Sequence, residues 1–158
     1  MKESGHLLVF QIESERLALN LEYIQRIERA VEIKKIPDLP PLIKGIIDYH
    51  GTIVPVYDLR KKLGYTSKET LASWRFLVVK TMNRLLVVVA DQVEGVITNP
   101  SGTITPGSQL ENNIIQPDFL RQDDGLILIY DVDRFLTQTD EEILEKSLYS
   151  HTQPDPAQ

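Results

Sequence analysis

The stretch IKGIIDYHGTIVPVYDL, residues 43–59, carries the clearest structural pattern in the chain. Residues 43–49 and 53–57 are two runs rich in β-branched and aromatic side chains, which are typical of strands. Gly51 separates the runs, and glycine adopts the backbone angles that tight turns require. The pattern predicts a β-hairpin. Pro55 cannot donate a backbone hydrogen bond, so it predicts that the second strand is an edge strand or begins a bulge.

Further short apolar runs lie on both sides of this hairpin, and most have the two-residue period of strands. Leu21, Ile24 and Ile27 are instead three residues apart, which indicates a single helical turn that leads into a strand. Residues 99–107 are rich in Pro, Ser, Gly and Thr and predict a loop. The predicted strands are residues 8–12, 17–21, 43–49, 53–57, 76–80, 85–90, 93–98 and 126–130.

Helix signals are few. Residues 58–63, before Gly64, predict one short helix, and Thr139-Asp140-Glu141-Glu142 has the spacing of a capping box that starts a second. Many short strands with frequent turns predict an all-β fold, either barrels or a sandwich, and two small barrels that share one core fit the length. We expect an N-terminal tail over 1–6, one domain over 7–150 and a flexible tail over 151–158.

Composition excludes several classes of function. The net charge is −6, from 17 basic and 23 acidic residues, so no excess of basic residues predicts nucleic-acid binding. No apolar run approaches the roughly 20 residues that span a bilayer, and no signal peptide is evident. Cysteine is absent, which excludes disulfides and thiolate zinc sites. We therefore expect a soluble, cytoplasmic protein without direct membrane insertion.

The sequence offers little that could perform catalysis. His50 is the one histidine inside the predicted domain, and a lone histidine is a poor basis for a metal site. Asp123-Asp124-Gly125 predicts a hairpin turn, and Asp131 is expected to cap a short helical turn. We predict a non-enzymatic interaction module without metal or cofactor. A hydrolase or metal enzyme built on small barrels remains the alternative from another class; clustered carboxylates in a cleft would favour it.

Residues 43–59 also resemble the signature of the CheW family of chemotaxis coupling proteins, in which Ile-x-Gly-Val-x-Asn-x-Arg-Gly precedes Ile-Val-Pro-Val-x-Asp-Leu. Four other segments are similar to family motifs in the same order, and together the five span residues 7–136. The resemblance implies two five-stranded, SH3-like barrels that share one core, followed here by a short C-terminal helix. It also implies an adaptor that links chemoreceptors to a CheA-type histidine kinase. The other matching segments are 8–10 with 17–21, 24–27, 90–96 and 125–136.

The resemblance further implies two binding surfaces. The kinase contacts are expected around Val54, Val56 and Asp58. The groove that binds the cytoplasmic tip of a methyl-accepting chemoreceptor is expected to be apolar with polar edges. Ile24 and Ile27 are the stronger groove candidates, whereas for Leu21 and Val96 a core position is favoured over the groove. The full set of groove candidates is Leu21, Ile24, Ile27, Val93 and Val96.

Three positions depart from the family pattern. The family carries Glu, Asn and Arg where this chain has Arg26, Asp48 and His50. A bidentate Arg–carboxylate contact therefore cannot form between positions 26 and 50. We hypothesise that Asp48 replaces the missing carboxylate in an Arg26–Asp48 ion pair. The altered positions also leave open a diverged scaffold, in an array for pili or development, that binds a kinase but not standard receptors.

Overall fold

The structure is a computed structural model and describes residues 5–107 and 116–152. These residues form eleven strands, two α-helices and two single-turn 3-10 helices. The 3-10 helices are Leu21–Tyr23 and Val132–Arg134, and the α-helices are α1 (Leu59–Lys62) and α2 (Gln138–Thr152). The strands are β1 (His6–Ile12), β2 (Glu15–Asn20), β3 (Ile24–Arg29), β4 (Ile43–Tyr49), β5 (Thr52–Tyr57), β6 (Arg75–Lys80), β7 (Leu85–Ala90), β8 (Gln92–Thr98), β9 (Thr103–Thr105), β10 (Asp118–Gln122) and β11 (Gly125–Tyr130).

The strands form two sheets, which confirms the predicted all-β fold of two SH3-like subdomains with a C-terminal helix. The first barrel has the strand order β8-β1-β2-β11-β10-β9, and the second has the order β3-β6-β7-β5-β4. The first barrel is split in sequence, because β11 returns to pair in parallel with β2 after the second barrel is complete. The sixth strand of the first barrel is β9, which is only three residues long.

The central strands bury both faces, which explains their nearly continuous apolar sequences. On β6, Leu77 and Val79 pack into a core shared by both barrels, whereas Phe76 and Val78 pack inside the second barrel. The same alternation on β1 sends Phe10 into the shared core and Val9 and Leu7 into the first barrel. The predicted single core between two barrels therefore results from strands whose two faces serve different clusters.

The hairpin of residues 43–59 forms as predicted, with one correction. β5 is an inner strand and not an edge, but it pairs with β7 only from Val56 onward. Pro55 therefore lies where β5 has a partner on one side only, which is a position where a sheet tolerates a residue without an N–H. A register shift in the β4–β5 ladder, between Ile43 and Gly45, lies close to this position.

The start of α2 differs from the prediction by two residues. The capping box is formed by Thr137 and Asp140: Thr137 Oγ1 accepts the Asp140 N–H at 3.0 Å, and Asp140 Oδ2 accepts the Thr137 N–H at 3.0 Å. Asp at the third helical position does here what Glu does in the commoner motif. α2 then packs on the second barrel, where Arg84 Nε lies 2.6 Å from Glu141 Oε2.

Two short strands were not predicted. β9 lies inside the segment 99–107, which was predicted to be a loop, and β10 has no counterpart among the predicted strands. The hairpin turn at Asp123-Asp124-Gly125 is confirmed, because it joins β10 to β11. The predicted tails lie mostly outside the described residues; of these, His6 begins β1 and 151–152 continue α2.

Candidate functional site

The five groove candidates differ in exposure. Leu21, Ile24 and Val93 are half-buried and pack against the shared core. Ile27 and Val96 are exposed, with 41% and 50% of their surfaces in contact with solvent. A core position for Val96 is therefore wrong, since its side chain points outward from β8. The set therefore contains half-buried apolar side chains on the shared core and exposed ones on β3 and β8, and exposed apolar side chains that form a patch mark interaction sites.

Tyr23 fixes the helical turn that positions Leu21 and Ile24. Its ring is buried, and its hydroxyl donates a hydrogen bond of 3.2 Å to Asp133 Oδ2. Asp133 Oδ1 also accepts the backbone N–H of Met82 at 2.6 Å, so one carboxylate joins three parts of the chain. Burial, together with the charges of Asp131 and Asp133, raises the pKa of Tyr23 to about 12.

The altered polar positions meet at a different carboxylate from the one hypothesised. Arg26 Nη1 lies 3.5 Å from Glu28 Oε1, and His50 Nε2 lies 3.9 Å from the same oxygen. Asp48 Oδ1 instead accepts the N–H of Gly51 at 2.9 Å within its own turn. The Arg26–Asp48 ion pair is therefore wrong. Arg26 and Glu28 are two residues apart on β3 and share a face, which brings them together locally.

The close approach of His50 to β3 follows from closure of the second barrel. Lys34 and Ile46 exchange backbone hydrogen bonds of 2.9 Å in both directions. These bonds attach the chain that leaves β3 to β4, so the tip of the β4–β5 hairpin lies beside Glu28. A side chain on Gly45 would collide with the carbonyl oxygen of Lys34, 2.5 Å from an ideal Cβ, so closure requires glycine there.

The three kinase-contact candidates are buried. Val54 and Val56 have no exposed surface and pack inside the second barrel. Asp58 caps α1, where its Oδ1 accepts the Lys61 N–H at 3.0 Å, and its Oδ2 accepts the Ser67 hydroxyl at 2.6 Å. These side chains hold the hairpin and α1 in place, so a partner would touch their surroundings and not the valines themselves.

A charge cluster that was not predicted surrounds the buried Arg60, the last residue of the Asp-Leu-Arg sequence that follows β5. Its guanidinium forms ion pairs with Asp91 and with Glu13 Oε1, the latter at 2.7 Å, and lies 4.4 Å from the ring centre of Trp74. Lys68 also pairs with Glu13 at 2.6 Å. The members of this Arg60 cluster come from four separate segments of the chain, so no local spacing could have predicted the cluster.

The Arg60 cluster connects the two barrels. Glu13 lies in the β1–β2 turn of the first barrel, Asp91 joins β7 to β8, and Arg60 belongs to α1 beside the second barrel. Asp91 further accepts the Glu13 N–H at 2.9 Å. A buried pair is strongly destabilised when one partner is removed, so the cluster favours one arrangement of the two barrels.

Within residues 5–107 and 116–152, no group of three His, Asp or Glu side chains could hold a metal ion. Asp131 caps the 3-10 helix by accepting the Asp133 N–H at 3.1 Å, as predicted, so it is engaged in structure. In the same part of the chain, no helix is long and apolar enough to cross a bilayer.

Two barrels around one core, with apolar side chains displayed on β3 and β8, define a small β module of the protein-interaction class. The chain belongs to the CheW-like domain family, whose family model matches residues 6–140. The chemotaxis protein CheW of Bacillus subtilis is 24% identical over 139 residues, covering 86% of this chain and 89% of that protein. The chemotaxis protein CheW of Thermotoga maritima is 27% identical over 139 residues, covering 84% and 87%.

A solved structure supports the same relationship. The scaffolding protein TtCheW from Thermoanaerobacter tengcongensis superimposes with a TM-score of 0.72 at 25% sequence identity. The match covers 86% of this chain and 94% of that chain, so the fold is shared over most of both chains.

Proposed function

We propose that this protein is a non-enzymatic cytoplasmic adaptor that couples chemoreceptors to a CheA-type histidine kinase in chemotaxis-like signalling. The observation that carries the proposal is the match of residues 6–140 to the CheW-like domain, together with the fold shared with a scaffolding protein. An adaptor needs two partner surfaces and no reacting groups. Three polar groups described above, the buried Asp58 and Arg60 and the half-buried Asp133, are all engaged in holding the fold together.

The receptor surface is proposed to include Ile27 and Val96, supported from beneath by Leu21, Ile24 and Val93. Exposed apolar side chains lose contact with water when a helical receptor tip covers them, at about 25 cal/mol per Å² of buried apolar area. The half-buried members are held by the shared core and by the Tyr23–Asp133 hydrogen bond. The surface is therefore formed before binding, which reduces the ordering cost of association.

The kinase surface is proposed to lie around β5 and α1, with Val54, Val56 and Asp58 as its support. Both valines are inside the second barrel, and Asp58 fixes the first turn of α1. A kinase regulatory domain would contact the outward side chains of this region. This surface is distinct from β3 and β8, so one adaptor could hold both partners at once.

Reconstitution tests the coupling directly. The purified protein is mixed with the receptor cytoplasmic fragment and the regulatory domain of the CheA-type kinase from the same cell, and receptor assemblies are sedimented. We expect the kinase domain to sediment with receptor only when the adaptor is present. Co-sedimentation that is equal without the adaptor, or absent with it, would contradict the proposal.

A second candidate function is a scaffold that binds the kinase but not standard receptors. It is favoured by Arg26, which places a cation that is 59% exposed where the family carries an acidic residue. Such a reversal repels a partner whose facing group is also cationic. Binding to the kinase domain without binding to any receptor fragment would select this candidate.

A further inference from the structure

The second barrel contains an open cleft that borders the proposed kinase surface at α1. It lies between the β3–β4 connection, α1 and the loop that follows α1, and its volume is about 720 Å³. Pockets for small molecules in proteins usually have volumes of about 300–1,000 Å³. Four lysines line this cleft, although the whole chain is acidic: Lys35, Lys44, Lys61 and Lys68.

Lys44 is the most buried of these ammonium groups and lacks an anionic partner. Its Nζ lies 5.5 Å from the ring centre of Trp74 and donates to the backbone carbonyl of Lys68. Among the described residues, no carboxylate forms an ion pair with it. Burial lowers the pKa of Lys44, and the positive charges of Arg60 and Lys35 lower it further, against the opposing effect of Asp58. The positive charge at this position is thus only partly compensated.

Two of the other three lysines, Lys35 and Lys61, are also available to a ligand, whereas Lys68 already forms an ion pair with Glu13 at 2.6 Å. Lys61 Nζ donates to the Pro41 carbonyl at 3.2 Å, and neither Lys61 nor Lys35 has an ion pair with a carboxylate within the described part of the chain. Glu32 and Glu69 line the cleft as well, but both are exposed and neither pairs with these lysines. The Asp58 carboxylate accepts hydrogen bonds from the Lys61 N–H and the Ser67 hydroxyl and forms no ion pair with Lys44, so its charge acts on Lys44 only from a distance.

We propose that this cleft binds a small polyanion carrying phosphate or carboxylate groups, with Lys44 as the central contact and Lys35 and Lys61 at its sides. Lysine ammonium groups act as point charges without a fixed fork geometry, so they suit either anionic group. A bound anion would pair with the Lys44 ammonium group and stabilise its charged form, which burial disfavours. The ligand site goes beyond the adaptor function, because binding of a small anion requires neither receptor nor kinase, although the cleft shares Asp58 and α1 with the proposed kinase surface.

Trp74 provides the signal for a test, because it is the single tryptophan of the chain and lies beside Lys44. The full-length protein is titrated with pyrophosphate and, separately, with citrate, while chloride keeps the ionic strength constant. We expect a saturable change in Trp74 emission with at least one of them, and calorimetry should give the same affinity. Binding of only one compound would identify the anionic group.

Lysine variants distinguish anion binding in the cleft from nonspecific attraction of anions to positive charges elsewhere on the surface. Lys44→Met should weaken binding about tenfold or more, whereas Lys44→Arg should retain most of it. Lys61→Met, at an exposed side chain, tests the cleft independently if Lys44→Met proves unstable. Lys80→Met removes an exposed lysine of β6 that does not line the cleft and should leave the affinity unchanged. No saturable binding up to millimolar concentration, or equal affinities in the Lys61 and Lys80 variants, would overturn the proposal.

Discussion

Replacing Ile27 with glutamate should abolish receptor binding while leaving the protein folded. About three-fifths of the Ile27 side chain is out of water, since 41% is exposed. Full burial of an isoleucine contributes about 1.5–3 kcal/mol, so the substitution should cost about 1–2 kcal/mol of unfolding free energy. For a domain of this size the melting temperature should then fall by about 2–8 °C.

The effect on receptor binding should be much larger. In the free protein the new carboxylate is hydrated, but a receptor that covers β3 would bury it without a partner. Burying an uncompensated charge costs about 3–5 kcal/mol, which weakens binding by about a hundredfold or more. Affinity for the kinase domain should not change, because that surface is proposed to lie around β5 and α1.

Calorimetric melting and two affinity measurements on one purified variant check this prediction. Leu126→Glu is the matched control, because Leu126 is 42% exposed on β11 and outside the proposed groove. Leu77, which pairs with Ile27 across the β3–β6 ladder, is fully buried, and Leu77→Glu shows how a true core substitution behaves. If Ile27→Glu unfolds as Leu77→Glu does, or binds receptor as tightly as Leu126→Glu does, the proposed role of Ile27 is wrong.

Three further predictions concern the groups that hold the fold. Arg60→Met should lower the free energy of unfolding by about 2–4 kcal/mol in urea titrations, because it leaves Asp91 partly buried without its cation, and a loss below about 1 kcal/mol would contradict this. Thr137→Ala should cost about 0.5–2 kcal/mol by removing the cap of α2, whereas Thr139→Ala should be nearly neutral in the same measurement; equal losses would place the cap elsewhere. Because the pKa of Tyr23 is raised from 10 to about 12, folded protein keeps a proton that the unfolded chain loses, so stability should fall as pH rises from 10 to 12. Tyr23→Phe should flatten that decline in denaturant titrations across the same pH range, and an unchanged slope would exclude Tyr23 as its source.

Most of the fold was predictable because it is encoded in local periodicity. The hairpin over 43–59 and the helical turn before β3 were both predicted from the spacing of apolar residues and the position of one glycine. β9 and β10 were not predicted because they form strands through pairing with each other and with β11, and not through an apolar periodicity in their own sequences. β9 has the sequence Thr-Ile-Thr and is exposed throughout, so it carries no apolar face to detect.

The candidate site was less predictable, because its contacts join residues distant in sequence. Exposure of Val96, which lies on the edge strand β8, depends on what covers its face of the sheet, and only the assembled barrels determine that. The Arg60 cluster joins Glu13 to Asp91, 78 positions apart, and only the assembled barrels bring them to one point. Spacing identifies partners along one helix or strand, as with Arg26 and Glu28, but not across the core.

At the altered polar positions an acidic side chain still lies beside basic ones, but it comes from a different residue than in the family pattern. The family pattern pairs an acid at position 26 with a base at position 50, whereas here the acid is Glu28, between Arg26 and His50. The distances of 3.5 and 3.9 Å and the exposure of all three side chains make each contact worth about 0–1 kcal/mol. Contacts this weak contribute little to folding. Their effect should instead be on the partner, which would meet the cation of Arg26 before the carboxylate of Glu28, and Arg26→Glu should therefore alter receptor choice without altering the melting temperature.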